Sequence, residues 1–293
     1  MSILLNEPGV DGLRHTVAAL REWQFNGAPM QLHPGDLGWN WQFGAEAAAA
    51  AIRTWSRDGE ILAIGFLDSP QLIRMAIAPE AQHDEALAQQ MLVDMNDPDR
   101  NVLARGTAYI EVRFGELFRG LLFDDGWVDD DPWTPLERDL ADPVDECGVR
   151  IEVVGPERAE VRASVQRAAF DESTFSPERW KAMTTGVPYA EAECLLAYDD
   201  HDIAVAVATV WSAGPDKPGL LEPVGVHREH RGRRYGTAIT VAAAAALRSL
   251  GSSRATVCTK SSNVGAIATY ESAGFRHLPQ VSDLRRNAQY LFH

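Results

Sequence analysis

LLEPVGVHREHRGRRYGTAITVAAAAALRSLG, residues 220–251, reads as a strand, a basic turn and a helix. The apolar residues on either side of Glu222 and Pro223 carry the strand. Proline cannot donate to a ladder, so the strand is expected to bulge there or to lie at an edge. The alanine run from Ala242 favours helix, and Gly251 closes it. Between strand and helix, Arg228, Arg231, Arg233 and Arg234 crowd around Gly232, just before Gly236. A helix start exposes unpaired N–H groups and the positive end of the helix dipole, and glycine lets backbone approach a ligand closely. The turn is therefore a candidate anion site. A solvated basic turn or a nucleic-acid contact is the alternative for so short a stretch.

The rest of the second half extends this alternation. VRIEVV (149–154) predicts a strand, PERAEVRASVQRAAF (156–170) a helix with Pro156 at its start, and SPERWKAM (176–183) a helix capped by Ser176. ECLLAYD and DIAVAVATVW predict a hairpin, ATVCTK (255–260) a buried strand, and NVGAIATYESAG (263–274) a helix closed by Gly274. Strands separated by helices predict a mixed α/β sheet.

The 293 residues are most simply two domains. At 45% hydrophobic and 24% charged, the composition is that of an ordinary globular chain. No transmembrane run and no signal peptide are legible, and three scattered cysteines suggest neither a disulfide framework nor a zinc site. A cytoplasmic protein without a metal is the expectation.

The net charge of −15 is unevenly divided. Residues 1–147 hold 26 acidic residues against 10 arginines and no lysine; residues 148–293 hold 16 acidic against 17 basic. A nucleic-acid binder is basic overall or carries a broad basic face, and this chain has neither.

The two halves repeat with an offset of 148 residues: TAYIEV (107–112) lies over ATVCTK, and DDGW (124–127) over SAGF (272–275). The division expected is 1–145 and 149–293, joined at the polar stretch ADPVDECG (141–148). Under this register the basic turn becomes His83, Asp84, Glu85 and Ala86, whose acids satisfy the helix dipole and repel a phosphate. Leu122 stands where the second half has Tyr270. The first half is read as structural or substrate-shaping. Its tryptophans Trp39, Trp41 and Trp55 are expected in core, with a substrate cleft as the other possibility.

The basic turn opening the central helix, followed by Asn263, Ala266, Tyr270, Glu271, Gly274 and Phe275 at the spacing Asn-x-x-Ala-x-x-x-Tyr-Glu-x-x-Gly-Phe, resembles the GNAT superfamily of N-acetyltransferases. The whole is similar to tandem members such as mycothiol synthase and its relatives, with the first copy degenerate. Arg234 departs from the family pattern, which has glycine there. If that position needs positive φ, Arg234 carries strain.

The resemblance implies acetyl-CoA as co-substrate, its pyrophosphate at the turn. Val224, Val226, Arg231, Gly232, Arg233, Arg234, Tyr235, Gly236, Thr237 and Asn263 are the implied cofactor-binding residues. Asn263 is equally placed to act as a plain helix cap. Tyr270 resembles the family's general acid, with a buried structural tyrosine as the alternative. The Val226 N–H resembles its carbonyl-polarising donor. Glu222 is the candidate base, because a carboxyl interrupting an apolar strand can be raised by desolvation; a solvated strand residue is the alternative. His227 is a weaker candidate. Cys258, within an apolar strand, is expected to pack as a small hydrophobe. The implied activity is transfer of an acetyl group to the primary amine of a small or peptide-like substrate, expected to be cationic. A non-catalytic CoA-binding or sensing protein is the other class kept open.

Overall fold

A computed structural model describes residues 2–288. The first half runs β1 (Leu4–Asn6), α1 (Gly9–Glu22), α2 (Pro34–Asn40), α3 (Ala45–Ala50), β2 (Ile52–Arg57), β3 (Glu60–Ser69), β4 (Leu72–Ile77), α4 (Glu85–Asn96), β5 (Ala108–Glu111), α5 (Glu116–Asp124) and β6 (Val128–Asp139). The second runs β7 (Arg150–Val153), α6 (Ala159–Ala169), α7 (Pro177–Thr184), β8 (Ala192–Tyr198), β9 (Ala204–Trp211), β10 (Pro218–Val226), α8 (Tyr235–Ser249), β11 (Arg254–Lys260), α9 (Val264–Ser272), β12 (Arg276–His277) and β13 (Val281–Arg286). The repeat is visible in these bounds: α5 and α9 begin and end 148 residues apart.

All strands join one mixed sheet, in the order β1-β2-β3-β4-β5-β13-β6-β11-β10-β9-β8-β7, with β12 also on β6. The pairing crosses the division drawn at residues 145 and 149. β13, from the end of the chain, pairs with β5 of the first half. β6, from the first half, pairs over Trp133–Asp139 with β11 of the second. The cores follow the exchange. Leu284 of β13 is fully buried in the first half's core, and Leu136 of β6 in the second's. Burying one leucine contributes about 1.5–3 kcal/mol. Each half therefore depends on the other's last strand.

Local structure in the second half follows its residues. Ser176 caps α7, its hydroxyl accepting the Arg179 N–H at 3.3 Å. β8 and β9 form the expected hairpin. Register slips between Leu221 and Val224, so β10 bulges at Pro223. The Glu222–Pro223 peptide is cis.

The site depends on how β10 leaves its neighbour. β10 pairs in parallel with β11 only over Pro218–Leu220, and beyond the bulge it keeps β9 alone. The two strands splay, and the gap opens toward the N-terminus of α8. Among the described residues no helix is long and apolar enough to cross a membrane.

Candidate active site

A cleft of about 730 Å³ lies between the end of β10, the start of α8 and the helix α9. Val224, Val226, Arg231, Gly232, Arg234, Tyr235, Gly236, Thr237, Asn263 and Tyr270 all line it. Of the residues expected around a cofactor, only Arg233 does not; it is exposed beside the cleft. Ala169 and Phe170, at the end of α6, also form wall, a role the sequence motifs did not indicate.

The basic turn serves two purposes. Arg228 donates to the carbonyls of Ala168 and Arg167, and Arg231 Nη2 to that of Ala169 at 2.8 Å. These are last-turn carbonyls of α6, which a cation satisfies. Arg233 and Arg234 pair with no carboxylate among the described residues, and neither does Arg231, whose Nη2 alone is used at α6; all three keep guanidinium nitrogens for a ligand. Arg234 sits at φ +64°, in the left-handed region, as the residue before α8. An L side chain there costs about 1–2 kcal/mol. At Gly236 an added Cβ would stand 3.0 Å from Thr269 Cγ2 and 3.4 Å from Val226 Cγ2, filling the narrow end of the cleft. A small residue, open N–H groups and unpaired arginines at a helix start fit a pyrophosphate. The equivalent place in the first half is closed. Asp84 Oδ1 accepts the Leu87 N–H at 2.9 Å, and Arg57 holds the same carboxylate at 2.6 Å.

Val226 follows from the ladder. The His227 N–H donates to Val205 O at 2.8 Å, toward β9. Donors alternate along an antiparallel strand, so the Val226 N–H points the other way, into the splay. Asn263 caps α9, its Oδ1 accepting the Ala266 N–H at 3.2 Å. Its amide NH₂ makes no hydrogen bond among the described residues, and Asn263 lines the cleft.

Tyr270 is 8% exposed, and its hydroxyl has no protein partner among the described hydrogen bonds. Burial, and then the nearby charge of Glu222, pushes the phenol up to about 12, so it holds its proton. Glu222, half-buried at the bulge, is not among the residues that line the cleft. Burial raises its carboxyl to about 8; Asp36 adds to the rise and Arg74 opposes it.

Both of those neighbours belong to the first half. Asp36 Oδ1 lies 2.9 Å from Arg74 Nη1, and Arg74 Nε donates to Glu111 at 3.0 Å. Burial opposes the charge of Arg74, but Asp36, Glu111 and Glu222 more than offset it and raise it well above the usual guanidinium range. Arg113 follows, 3.5 Å from Glu111 and 3.4 Å from Asp283. Asp68 stands exposed at the end of β3 without an ion pair among the described residues. Cys258 corrects the expectation of a packed hydrophobe. Its thiol is half-buried within 3.8 Å of Arg113 Nη1, because the splay exposes that stretch of β11 to the charged cluster. Burial pushes it up to about 11, which leaves it a thiol and not a nucleophile.

The sequence motifs gave no sign of Asp36, Arg74, Glu111 or Arg113, since the first half diverges where the cofactor loop would be. The available signal was local: His33-Pro-Gly-Asp36 carries a helix start with its acid at the third position.

Residues 162–275 match the model of the Acetyltransferase (GNAT) family. No curated protein matches the chain. Among solved structures, a tandem GNAT protein from the clavulanic acid biosynthesis pathway superposes with a TM-score of 0.60 at 15% identity, over 98% of this chain and 99% of that one. A GNAT-family acetyltransferase from Colwellia psychrerythraea gives 0.59 at 15%, over 97% and 98%. A GCN5-related N-acetyltransferase from Sphaerobacter thermophilus gives 0.57 at 17%, over 98% and 96%. At these identities the likeness is one of fold, and it is the fold of a tandem GNAT protein.

Proposed function

We propose that the protein is an N-acetyltransferase that moves the acetyl group of acetyl-CoA to the primary amine of a small or peptide-like cationic molecule. The observation that supports this most is the convergence of Glu222, Tyr270 and the Val226 N–H on one splay, above the basic start of α8. Arg231, Gly232, Arg233, Arg234, Tyr235, Gly236 and Thr237 would hold the pyrophosphate, with Val224, Val226 and Asn263 along the remaining arm. When bound there, acetyl-CoA supplies a thioester. Glu222, once ionised, takes a proton from the incoming ammonium. The Val226 N–H donates to the carbonyl oxygen as negative charge develops on it. Tyr270 retains its proton at neutral pH and gives it to the departing sulfur. The cationic character of the acceptor is supported by the carboxylates Asp36, Asp68, Glu111, Glu222 and Asp283, which outnumber Arg74 and Arg113 around the splay.

Incubation with acetyl-CoA and a panel of cationic, neutral and anionic amines, read by thiol release, tests this. Release is expected with primary amines, fastest with the cationic ones. Tight CoA binding without release on any amine would instead favour a CoA-binding or sensing protein.

A further inference from the structure

Helix α2 of the first half is fastened to the strand that carries Glu222. At its start, His33 Nδ1 accepts the Gly35 N–H at 2.9 Å, and Asp36 Oδ2 accepts the His33 N–H at 2.6 Å. With Nδ1 accepting, His33 Nε2 carries the proton and donates to the carbonyl of Pro218, the first residue of β10, at 3.2 Å. Gly35 and Gly38 lie against the side chain of Trp211; an added Cβ would come within 2.5 and 2.3 Å of it. Trp211 Nε1 in turn donates to the carbonyl of Glu222 at 2.7 Å. Two tethers, one at Pro218 and one through the indole, thus fix the distance between Asp36 and Glu222. The helix cap occupies Oδ2 of Asp36. The other oxygen, in a residue only 3% exposed, faces Arg74 and accepts no hydrogen bond among the described residues, which leaves it open to a protonated Glu222 carboxyl.

We propose that Asp36 is a positioning residue: the first half supplies a carboxylate that shares a proton with Glu222, and so sets when that group is free to act on the acceptor. Two carboxyls in contact cannot both ionise cheaply. Arg74, at 2.9 Å from Asp36, keeps the negative charge on Asp36 and leaves the proton with Glu222. Asp36 from α2, Arg74 from β4, Asp68 from β3 and Tyr270 from α9 are the charged and titratable groups that face Glu222. All but Tyr270 come from the first half. The catalytic consequence rests on the proposed acetyl transfer; the coupling itself does not.

The test is a carbon NMR titration of protein labelled at the Glu Cδ and Asp Cγ carboxyls, with the Glu222 resonance assigned by its loss in Glu222→Gln. In the wild type, Glu222 is expected to titrate near pH 8. Asp36→Asn should lower the Glu222 midpoint by at least one pH unit. Arg74→Gln should raise it. A pure helix cap predicts that Asp36→Asn leaves the midpoint where it was, and that result overturns the proposal. Should Asp36→Asn fail to fold, the wild-type titration still decides: one step at an ordinary carboxyl pH overturns the coupling. None of these readouts needs turnover. If thiol release is never seen while the coupling holds, only the acetyl-transfer reading falls. If release is seen, its ascending pH limb should move with the Glu222 midpoint in both variants.

Discussion

In the proposed transfer Tyr270 and Glu222 have opposite requirements: an acid there must keep its proton and a base must lose one. Burial holds the phenol up to about 12, and burial beside Asp36 holds the carboxyl up to about 8. Since Glu222 acts when ionised, kcat/KM is expected to rise with pH through about 8, whereas the loss of the Tyr270 proton falls above the working range. Tyr270→Phe should lower kcat by about 10²-fold or more with CoA affinity nearly unchanged, the usual scale of a general acid. Steady-state rates alongside a CoA titration check this; wild-type turnover would leave Tyr270 as a packing residue. Tyr270, Asn263 and the basic turn are legible in the sequence because each belongs to a motif of near neighbours. Asp36 is not, because the group it meets lies in the other half of the chain. Arg231 shows the limit of the motif itself: composition marks it as an anion ligand, but one of its nitrogens serves the end of α6.

The element that joins the two halves at the site is α2. Seven residues long, it is too short to be stable alone, and it owes its place to close packing on Trp211. Gly38→Ala would put a methyl 2.3 Å from the indole. Overpacking of this kind costs about 1–3 kcal/mol. The melting temperature is expected to fall by roughly 5 °C, with CoA affinity preserved because α8 is not involved. Calorimetry on the two proteins checks it; an unchanged melting temperature would mean that α2 is not clamped. At this scale the sequence is informative about helices and turns. Ser176, Gly251 and Gly274 mark ends that the structure keeps. It is silent about which strands pair. β6, VDDDPWTPLERD, and β13, VSDLRR, carry no clean apolar–polar alternation, so neither the strands nor their partners are legible in the sequence. Trp39 illustrates the same point: it stacks on Phe175 of the second half, 5.3 Å away, and so belongs to the junction as much as to a core.

Across the whole molecule, the two halves repeat one unit but differ at the helix start. The second keeps the open helix start; the first has filled its own with Asp84 and turned its carboxylates toward the partner's splay. Their exchange of last strands brings Asp36 and Arg74 beside a strand they did not come with. The charge asymmetry of the sequence is the visible trace of this. Its placement at the acceptor end depends on the exchange and is not written in composition. If only the second half's helix start accepts CoA, isothermal titration of the full chain with CoA should see it as a single site. The expected stoichiometry is one per chain, and Arg231→Ala should weaken it by about 1–3 kcal/mol through loss of a charged hydrogen bond at the turn. Two equivalent sites, or an affinity indifferent to Arg231, would contradict the account.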